Sequence, residues 1–153
     1  MITRDLTEQE LISYKNDLIQ EYSFELINAG YTKEDAAKQL GDDFDRLIKL
    51  PGKMLVAQDE LGNDIGRMWF CVRELMGETM GFILEVQVFE NFRGKGYGRK
   101  LMKFIESEVK NMGVDKLGLN VFKDNESAVS LYKSEGYIIK ENYNVNLFMI
   151  KNI

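Results

Sequence analysis

A glycine-rich basic turn between a strand-like and a helix-like segment is the feature that most constrains the fold of this chain. Residues 81–89 are typical of a strand, and Gly94, Gly96 and Gly98 follow within a cluster of arginines and lysines. Residues 96–112 then carry apolar side chains at helical spacing. This order predicts a strand, a tight turn and a helix whose first N–H groups and positive dipole end face the turn. Glycines leave room for a phosphate beside the backbone, so the turn predicts a pyrophosphate site.

Two common phosphate-binding motifs do not match this turn. A P-loop ends in Gly-Lys followed by serine or threonine, whereas Tyr97 follows the second glycine here. A dinucleotide fingerprint needs glycine at its first, third and sixth positions, and the sixth residue counted from Gly94 is Arg99. A solvated surface turn without a ligand is the alternative interpretation.

Two features of the composition restrict the chemistry. The 153 residues contain no histidine, which excludes Ser-His-Asp triads, Cys-His nucleophiles and histidine metal sites. The single cysteine, Cys71, cannot form an internal disulfide, so we expect a cytoplasmic protein and interpret Cys71 as a structural residue. The first residues are not typical of a secretion signal, and no apolar run approaches the roughly 20 residues of a membrane span. We therefore expect no membrane partner and no bound metal.

Helical and strand-like periodicities alternate along the rest of the chain. Capping signals at Thr7 and Thr32 predict two helices, which extend to about residues 29 and 50. Alternating apolar patterns predict an antiparallel meander, then a helix, a strand, a helix and a closing hairpin. The sequence thus predicts a single α/β domain over residues 1–153, with a mixed, mostly antiparallel sheet of six to seven strands flanked by about four helices. The predicted later elements are strands at 54–57, 65–72, 81–89, 115–122, 137–140 and 145–150, and helices at 96–112 and 125–135.

The turn resembles the acetyl-CoA pyrophosphate loop of the GNAT acetyltransferase family. Arg93, Gly96 and Gly98 match the Arg-x-x-Gly-x-Gly pattern of that loop. Further along the chain, a strand end is followed by Asn125 and then by a helix that carries Leu131-Tyr132 and closes with Gly136-Tyr137, which is an order common in the family.

The resemblance covers about residues 83–140, which would form the acetyl-CoA-binding core, whereas helices at about residues 7–50 would lie on the acceptor side. The turn would bind the pyrophosphate, the preceding strand would hold the pantetheine arm, and Asn125 would hydrogen-bond to coenzyme A. Tyr132 would donate a proton to the leaving thiolate. The implied binding residues are Val86, Gln87, Val88, Arg93, Gly94, Lys95, Gly96, Tyr97, Gly98, Arg99, Asn125 and Tyr132. By themselves, Asn125 is equally consistent with a helix cap and Tyr132 with a core residue.

The attacking amine must lose a proton, and two side chains are candidates for the acceptor side of the reaction. Glu85, on the strand that would face the thioester, is interpreted as the general base, acting through water. An outward-facing strand glutamate and a counter-charge for the acceptor are the alternatives. Asn120 stands where some relatives carry a carboxylate, and it would position a water or the substrate.

The leading hypothesis is an N-acetyltransferase that moves acetyl from acetyl-CoA to a primary amine by direct attack in a ternary complex. Residues 1–90 hold 18 of the 25 acidic and 9 of the 20 basic side chains, which favours a cationic small-molecule or peptide acceptor and argues against nucleic acid. The alternative from another class is a non-catalytic acyl-CoA-binding sensor or interaction module. The choice between a monomer and a homodimer is left open.

Overall fold

The computed structural model describes all residues 1–153, which form two compact units. Leu6–Leu50 form a helical unit, and Met1–Asp5 together with Pro51–Ile153 form a unit built on a sheet. No helix has the length and the apolar character required to cross a bilayer. The strands are β1 Ile2–Asp5, β2 Gly52–Gln58, β3 Asp64–Leu75, β4 Glu78–Val88, β5 Lys116–Phe122, β6 Ile138–Asn142 and β7 Asn146–Asn152. The helices are α1 Glu8–Asn28, α2 Lys33–Ile48, α3 Tyr97–Asn111 and α4 Glu126–Ser134, and a short 3-10 helix spans Glu90–Phe92.

The helical unit begins with the capping signals that the sequence contains. Thr7 Oγ1 accepts a hydrogen bond from the Glu10 amide at 3.1 Å, and the Glu10 carboxylate accepts one from the Thr7 amide at 2.8 Å. Thr32 Oγ1 accepts a hydrogen bond from the Asp35 amide at 3.1 Å and so caps α2. Between the two helices, the ring of Tyr14 packs edge-on against Phe44, with centroids 6.1 Å apart. Both predicted helices are therefore present, and their starts are decided by local capping.

The sheet has seven strands in the order β1-β2-β3-β4-β5-β7-β6. Every neighbouring pair is antiparallel except β4 and β5, which run parallel. The prediction of a mixed, mostly antiparallel sheet with four helices is confirmed. Strand β1 was not predicted. It is a four-residue edge strand with one strongly apolar residue, so its sequence shows no alternation of apolar and polar side chains.

Helices α3 and α4 pack on one face of the sheet and form the main core. The apolar side of α3 packs tightly against Gly81, where an added Cβ would lie 2.5 Å from Val109 Cγ1 and 2.9 Å from Leu117 Cδ1. A larger residue at position 81 would therefore push α3 away from the sheet. The core on this face includes Ile83, Leu101, Met102, Ile105, Val109, Leu117, Leu119, Val121, Tyr132 and Met149.

Strands β4 and β5 separate after a short paired stretch. Their pairing runs from Gly81 opposite Leu117 to Ile83 opposite Leu119. Residues 85–88 of β4 stay paired with β3, whereas residues 84–88 have no partner on the β5 side. A β-bulge lies at the point of separation, because Trp69 pairs with Glu85 whereas the next residue of β3 pairs with Ile83. A free strand edge therefore opens in the middle of the sheet.

The bulge changes the side-chain direction that strict alternation along β4 predicts for Leu84. Strict alternation would place Leu84 on the same face as Val86 and Val88. The extra residue is Leu84 itself, and Ile83 takes the core position instead. Glu85 remains on the face opposite Val86, as its parity in the sequence indicates.

Candidate active site

The glycine turn leads directly into the first turn of α3. Gly94 and Gly96 have φ angles of 75° and 84°, a left-handed conformation that side chains other than glycine rarely adopt. A Cβ added at either position would meet nothing within 4 Å, so both glycines border open space. Gly96 is the N-cap of α3, and the first turn of this helix has no acidic residue. The turn therefore presents unoccupied N–H groups and the positive end of the α3 dipole to that space.

Basic and aromatic side chains surround the turn. Arg93 Nε donates a hydrogen bond to the Val88 carbonyl at 2.9 Å, which ties the turn to the end of β4. Lys95 Nζ lies 5.6 Å from the centroid of the Phe92 ring, and Lys100 forms a similar contact with Tyr97 at 5.4 Å. Arg99 forms an ion pair with Glu135. These residues add positive charge around the open backbone.

A cleft of about 670 Å³ runs from the turn to α4. It combines the separated edge of β4, the glycine turn and one side of α4. All of the predicted binding residues line it except Lys95, whose side chain lies over Phe92 instead. The lining residues are Val86, Gln87, Val88, Phe92, Arg93, Gly94, Gly96, Tyr97, Gly98, Arg99, Asn125, Ser127, Ala128, Leu131 and Tyr132.

Asn125 caps α4 and also lines the cleft. Its Oδ1 accepts a hydrogen bond from the Ala128 amide at 3.3 Å, so the capping interpretation of this residue is correct. The carboxamide nitrogen has no protein partner, which leaves its two N–H donors available in the cleft. The cap and a ligand-binding role are therefore compatible, because they use different atoms.

Tyr132 reaches the cleft from α4 while most of its ring is buried. The ring packs against Tyr137 with centroids 6.0 Å apart and planes at 61°. Burial raises the pKa of the Tyr132 phenol. Its hydroxyl makes no hydrogen bond within the protein, whereas the Tyr137 hydroxyl donates to Glu106 at 3.2 Å. Tyr132 therefore carries a phenolic proton that stays bound at neutral pH and is not shared with another side chain.

Glu85 precedes Val86 in β4 but is not among the lining residues of the cleft, and its carboxylate is held by an arginine from the neighbouring strand. Arg67 Nε donates to Glu85 Oε2 at 3.0 Å, and Arg67 Nη2 donates to Oε1 at 3.3 Å. Nη2 also contacts Gln87 Oε1 at 3.4 Å. No sequence pattern marks Arg67 as a site residue, because its contact depends on the register that places it opposite Gln87.

Asn120 lies away from the cleft that contains Tyr132. It is exposed on the opposite face of the sheet, one residue after the last β5 residue that pairs with β4. There it lines a second, smaller cavity.

Four residues of the cleft were absent from the predicted binding set. Phe92, Ser127, Ala128 and Leu131 line it together with the predicted residues. Ala128 and Leu131 follow Asn125 at helical spacing, and that spacing was the available signal for them.

Cys71 is buried in β3, where burial raises the pKa of its thiol.

Comparison with known sequences identifies relatives along most of the chain. The sequence pattern of the acetyltransferase (GNAT) family matches residues 16–137. The uncharacterized N-acetyltransferase YycN of Bacillus subtilis is 31% identical over 143 residues, which cover 90% of this chain and 91% of that protein.

Solved structures share the fold. The crystal structure of YycN from Bacillus subtilis superposes with a TM-score of 0.73 and 23% identity, covering 94% of this chain and 95% of that chain. A GNAT family acetyltransferase from Elizabethkingia anophelis, solved with acetyl-CoA bound, gives a TM-score of 0.61 at 18% identity, covering 73% of this chain and 82% of that chain.

Proposed function

The chain belongs to the GNAT acetyltransferase family and is an acetyl-CoA-dependent acyltransferase, and from this premise we propose that it acetylates a primary amine by direct attack in a ternary complex. The observation that carries the proposal is the cleft itself. The cleft contains free backbone N–H groups at the start of α3, the unpaired edge of β4 and the Tyr132 hydroxyl, which has no protein partner. These are the groups needed to bind a pyrophosphate, an amide-containing arm and a leaving thiolate.

Acetyl-CoA fits this cleft by the chemistry of its parts. The pyrophosphate would lie against residues 94–98, where the glycines leave space beside the backbone. The pantetheine amides would pair with the free edge of β4 at Val86–Val88, as an added strand does. The Asn125 side chain would donate to the same arm.

In the reaction, the amine nitrogen forms a bond to the acetyl carbonyl carbon and the C–S bond breaks. Backbone N–H groups on the β4 edge would stabilise the developing oxyanion. The thiolate takes the phenolic proton of Tyr132, which is then replaced from solvent. A raised phenol pKa keeps that proton bound until the thiolate appears.

The amine proton would pass to Glu85 through water. Both carboxylate oxygens accept from Arg67, and each retains a second lone pair that can accept another proton donor. The Arg67 contacts hold the carboxylate in one orientation. Glu85 would thus serve as a positioned base or, if the acceptor is cationic, as its counter-charge.

The rival function is a non-catalytic acyl-CoA-binding module in the same cleft. The unengaged Tyr132 hydroxyl favours the enzyme, because a binding module needs no proton donor there.

The lone buried Cys71 supports our further proposal that the protein is cytoplasmic.

A panel of amines incubated with acetyl-CoA tests the proposed function. The readout is free coenzyme A thiol above the hydrolysis control, with the acetylated product identified by mass. We expect release that depends on the amine and does not change in EDTA. Tight acetyl-CoA binding without amine-dependent release across the panel would favour the binding module.

A further inference from the structure

A second cavity lies on the face of the sheet opposite the acetyl-CoA cleft. It has a volume of about 160 Å³ and is lined by apolar and aromatic side chains, an amide and one guanidinium. Arg73, Phe82, Asn120, Tyr143 and Phe148 contribute its polar and aromatic walls. None of its lining residues is acidic. At about 30 Å³ for a water molecule, the space suits a small substituent of a few heavy atoms.

The cavity extends from the β3–β4 hairpin, at Leu75 and Met76, to the gap between β4 and β5, at Asn120. Asn120 follows Leu119, whose pairing with Ile83 is the last between these strands. Leu119 and Ile83 face the core that contains Tyr132, whereas Asn120 and Phe82 face the opposite side. A molecule in the cavity is therefore close to the gap through which an amine would approach the thioester.

Arg73 has unused hydrogen-bonding capacity. Its Nε is buried without a hydrogen-bond partner, and its guanidinium forms no ion pair. Its Cζ lies 5.7 Å from the centroid of the Phe82 ring, which in turn stacks on Phe148 at 6.4 Å. Buried N–H groups without a partner are rare in folded proteins and call for an explanation. Arg67, on the same strand and the same face, is by contrast engaged by Glu85.

The charges next to the cavity are also predominantly positive. The adjacent pocket shares Met76 and Phe148 with it and is lined by Lys116, Lys140 and Glu78. Lys116 donates to Glu78 at 2.8 Å, so this pair is neutral and Lys140 adds a further positive charge. Glu74, next to Arg73 in the sequence, is exposed and accepts a hydrogen bond from Thr79. The surroundings of Arg73 therefore favour an anion, although the chain as a whole is acidic.

We propose that this cavity binds the acceptor through a carboxylate, so that the acceptor is a primary amine that also carries a carboxylate and an apolar or aromatic group. The planar fork of a guanidinium matches a carboxylate in geometry, and the stacked phenylalanines match an apolar substituent. A free amino acid with an apolar or aromatic side chain has this combination. The inference rests on the proposed acetyl transfer and replaces the cationic acceptor favoured by overall composition, because none of the lining side chains is acidic.

The test compares amines that differ only in the carboxylate. Phenylalanine is paired with phenethylamine, tyrosine with tyramine and leucine with isopentylamine, and kcat/KM is measured from coenzyme A release. We expect the wild-type protein to prefer the carboxylate-bearing member by at least about tenfold in one or more pairs. Arg73→Gln should raise KM for that member about tenfold or more and leave the decarboxylated member unchanged. Arg73→Lys, which keeps the charge but loses the fork, should give an intermediate KM.

Three controls separate the possible failures. Lys110→Gln removes an exposed positive charge from the last turn of α3, which lines neither cavity, and should leave the preference unchanged. Thermal unfolding and acetyl-CoA affinity of each variant show whether the fold and the cleft are intact. Binding of the N-acetylated amino acids to wild-type and Arg73→Gln protein gives a readout that does not need turnover, and only the wild type should bind them.

Transfer to amines without a carboxylate preference, or a preference that survives in Arg73→Gln, overturns this inference and leaves the proposed function standing. Carboxylate-dependent binding without any transfer overturns the proposed function and keeps the cavity as a carboxylate site.

Discussion

The carboxylate of Glu85 and the guanidinium of Arg67 face each other across β4 and β3, joined by hydrogen bonds of 3.0 and 3.3 Å. The pair is about one-fifth exposed at each side chain. It fixes the carboxylate beside the strand edge that would hold the thioester, and it partly neutralises that carboxylate. Glu85 would therefore act, either as a general base or as a counter-charge for the acceptor, while its carboxylate is hydrogen-bonded to Arg67.

Glu85→Gln should lower kcat/KM at neutral pH, and the defect should shrink as pH rises. The amide keeps the shape of the side chain but cannot accept the amine proton, and at higher pH more of the substrate amine is already deprotonated. The measurement is a pH profile of kcat/KM for wild type and variant with the same acceptor. A loss of equal size at every pH would identify Glu85 as a binding group. Arg67→Gln is the companion variant, since it frees the carboxylate without removing it.

Tyr132→Phe should lower kcat by roughly 10²–10⁴ with acetyl-CoA affinity nearly unchanged. The substitution keeps the ring and removes the proton that the thiolate would take. Tyr137→Phe is the matched control, because Tyr137 packs against the same ring but its hydroxyl donates to Glu106. The control should lose about 1 kcal/mol of unfolding free energy and retain kcat. Equal kcat in wild type and Tyr132→Phe would remove proton donation by this residue from the mechanism.

Gly96→Asp should weaken acetyl-CoA binding by at least about tenfold. The aspartate would place a side chain and a negative charge in the open space beside the helix start, where the phosphates would bind. Gly113→Asp is the control for backbone strain, because Gly113 has a φ of 81° against 84° for Gly96 and also borders open space, but does not line the cleft. Calorimetric titration of both variants separates the two effects. If both variants bind as tightly as wild type, the phosphate site lies elsewhere.

Gly81→Ala should destabilise the protein by about 1–3 kcal/mol through overpacking between β4 and α3. The new methyl group would overlap Val109 and Leu117. Adding Val109→Ala should recover part of the loss, because the shorter side chain removes the 2.5 Å contact. Chemical denaturation of the single and double variants measures this coupling. Additive losses would mean that the strand absorbs the methyl group by another movement.

The local features of this chain were readable from its sequence. Thr7, Thr32 and the glycine turn depend on neighbours within a few residues, so the caps, the helix starts and the position of the glycine turn follow from short-range chemistry. Residues 83–140 also carry the two motifs that resemble the family. Asn125 and Tyr132 belong to them, and the structure brings both to the cleft beside the turn.

Tertiary structure alone decided how the strands meet and what faces the gap between them. The bulge at Leu84 and the end of β4–β5 pairing at Ile83 arise from the register of three strands, which no local pattern specifies. The same register pairs Arg67 with Glu85 and leaves Arg73 without a carboxylate. The sequence by itself determined the fold family and indicated the residues of the proposed acetyl-CoA cleft, because these features depend on neighbouring residues. The proposed acceptor site depends on contacts between residues far apart in the chain, because only the assembled sheet brings Arg73, Asn120 and Phe148 to one cavity.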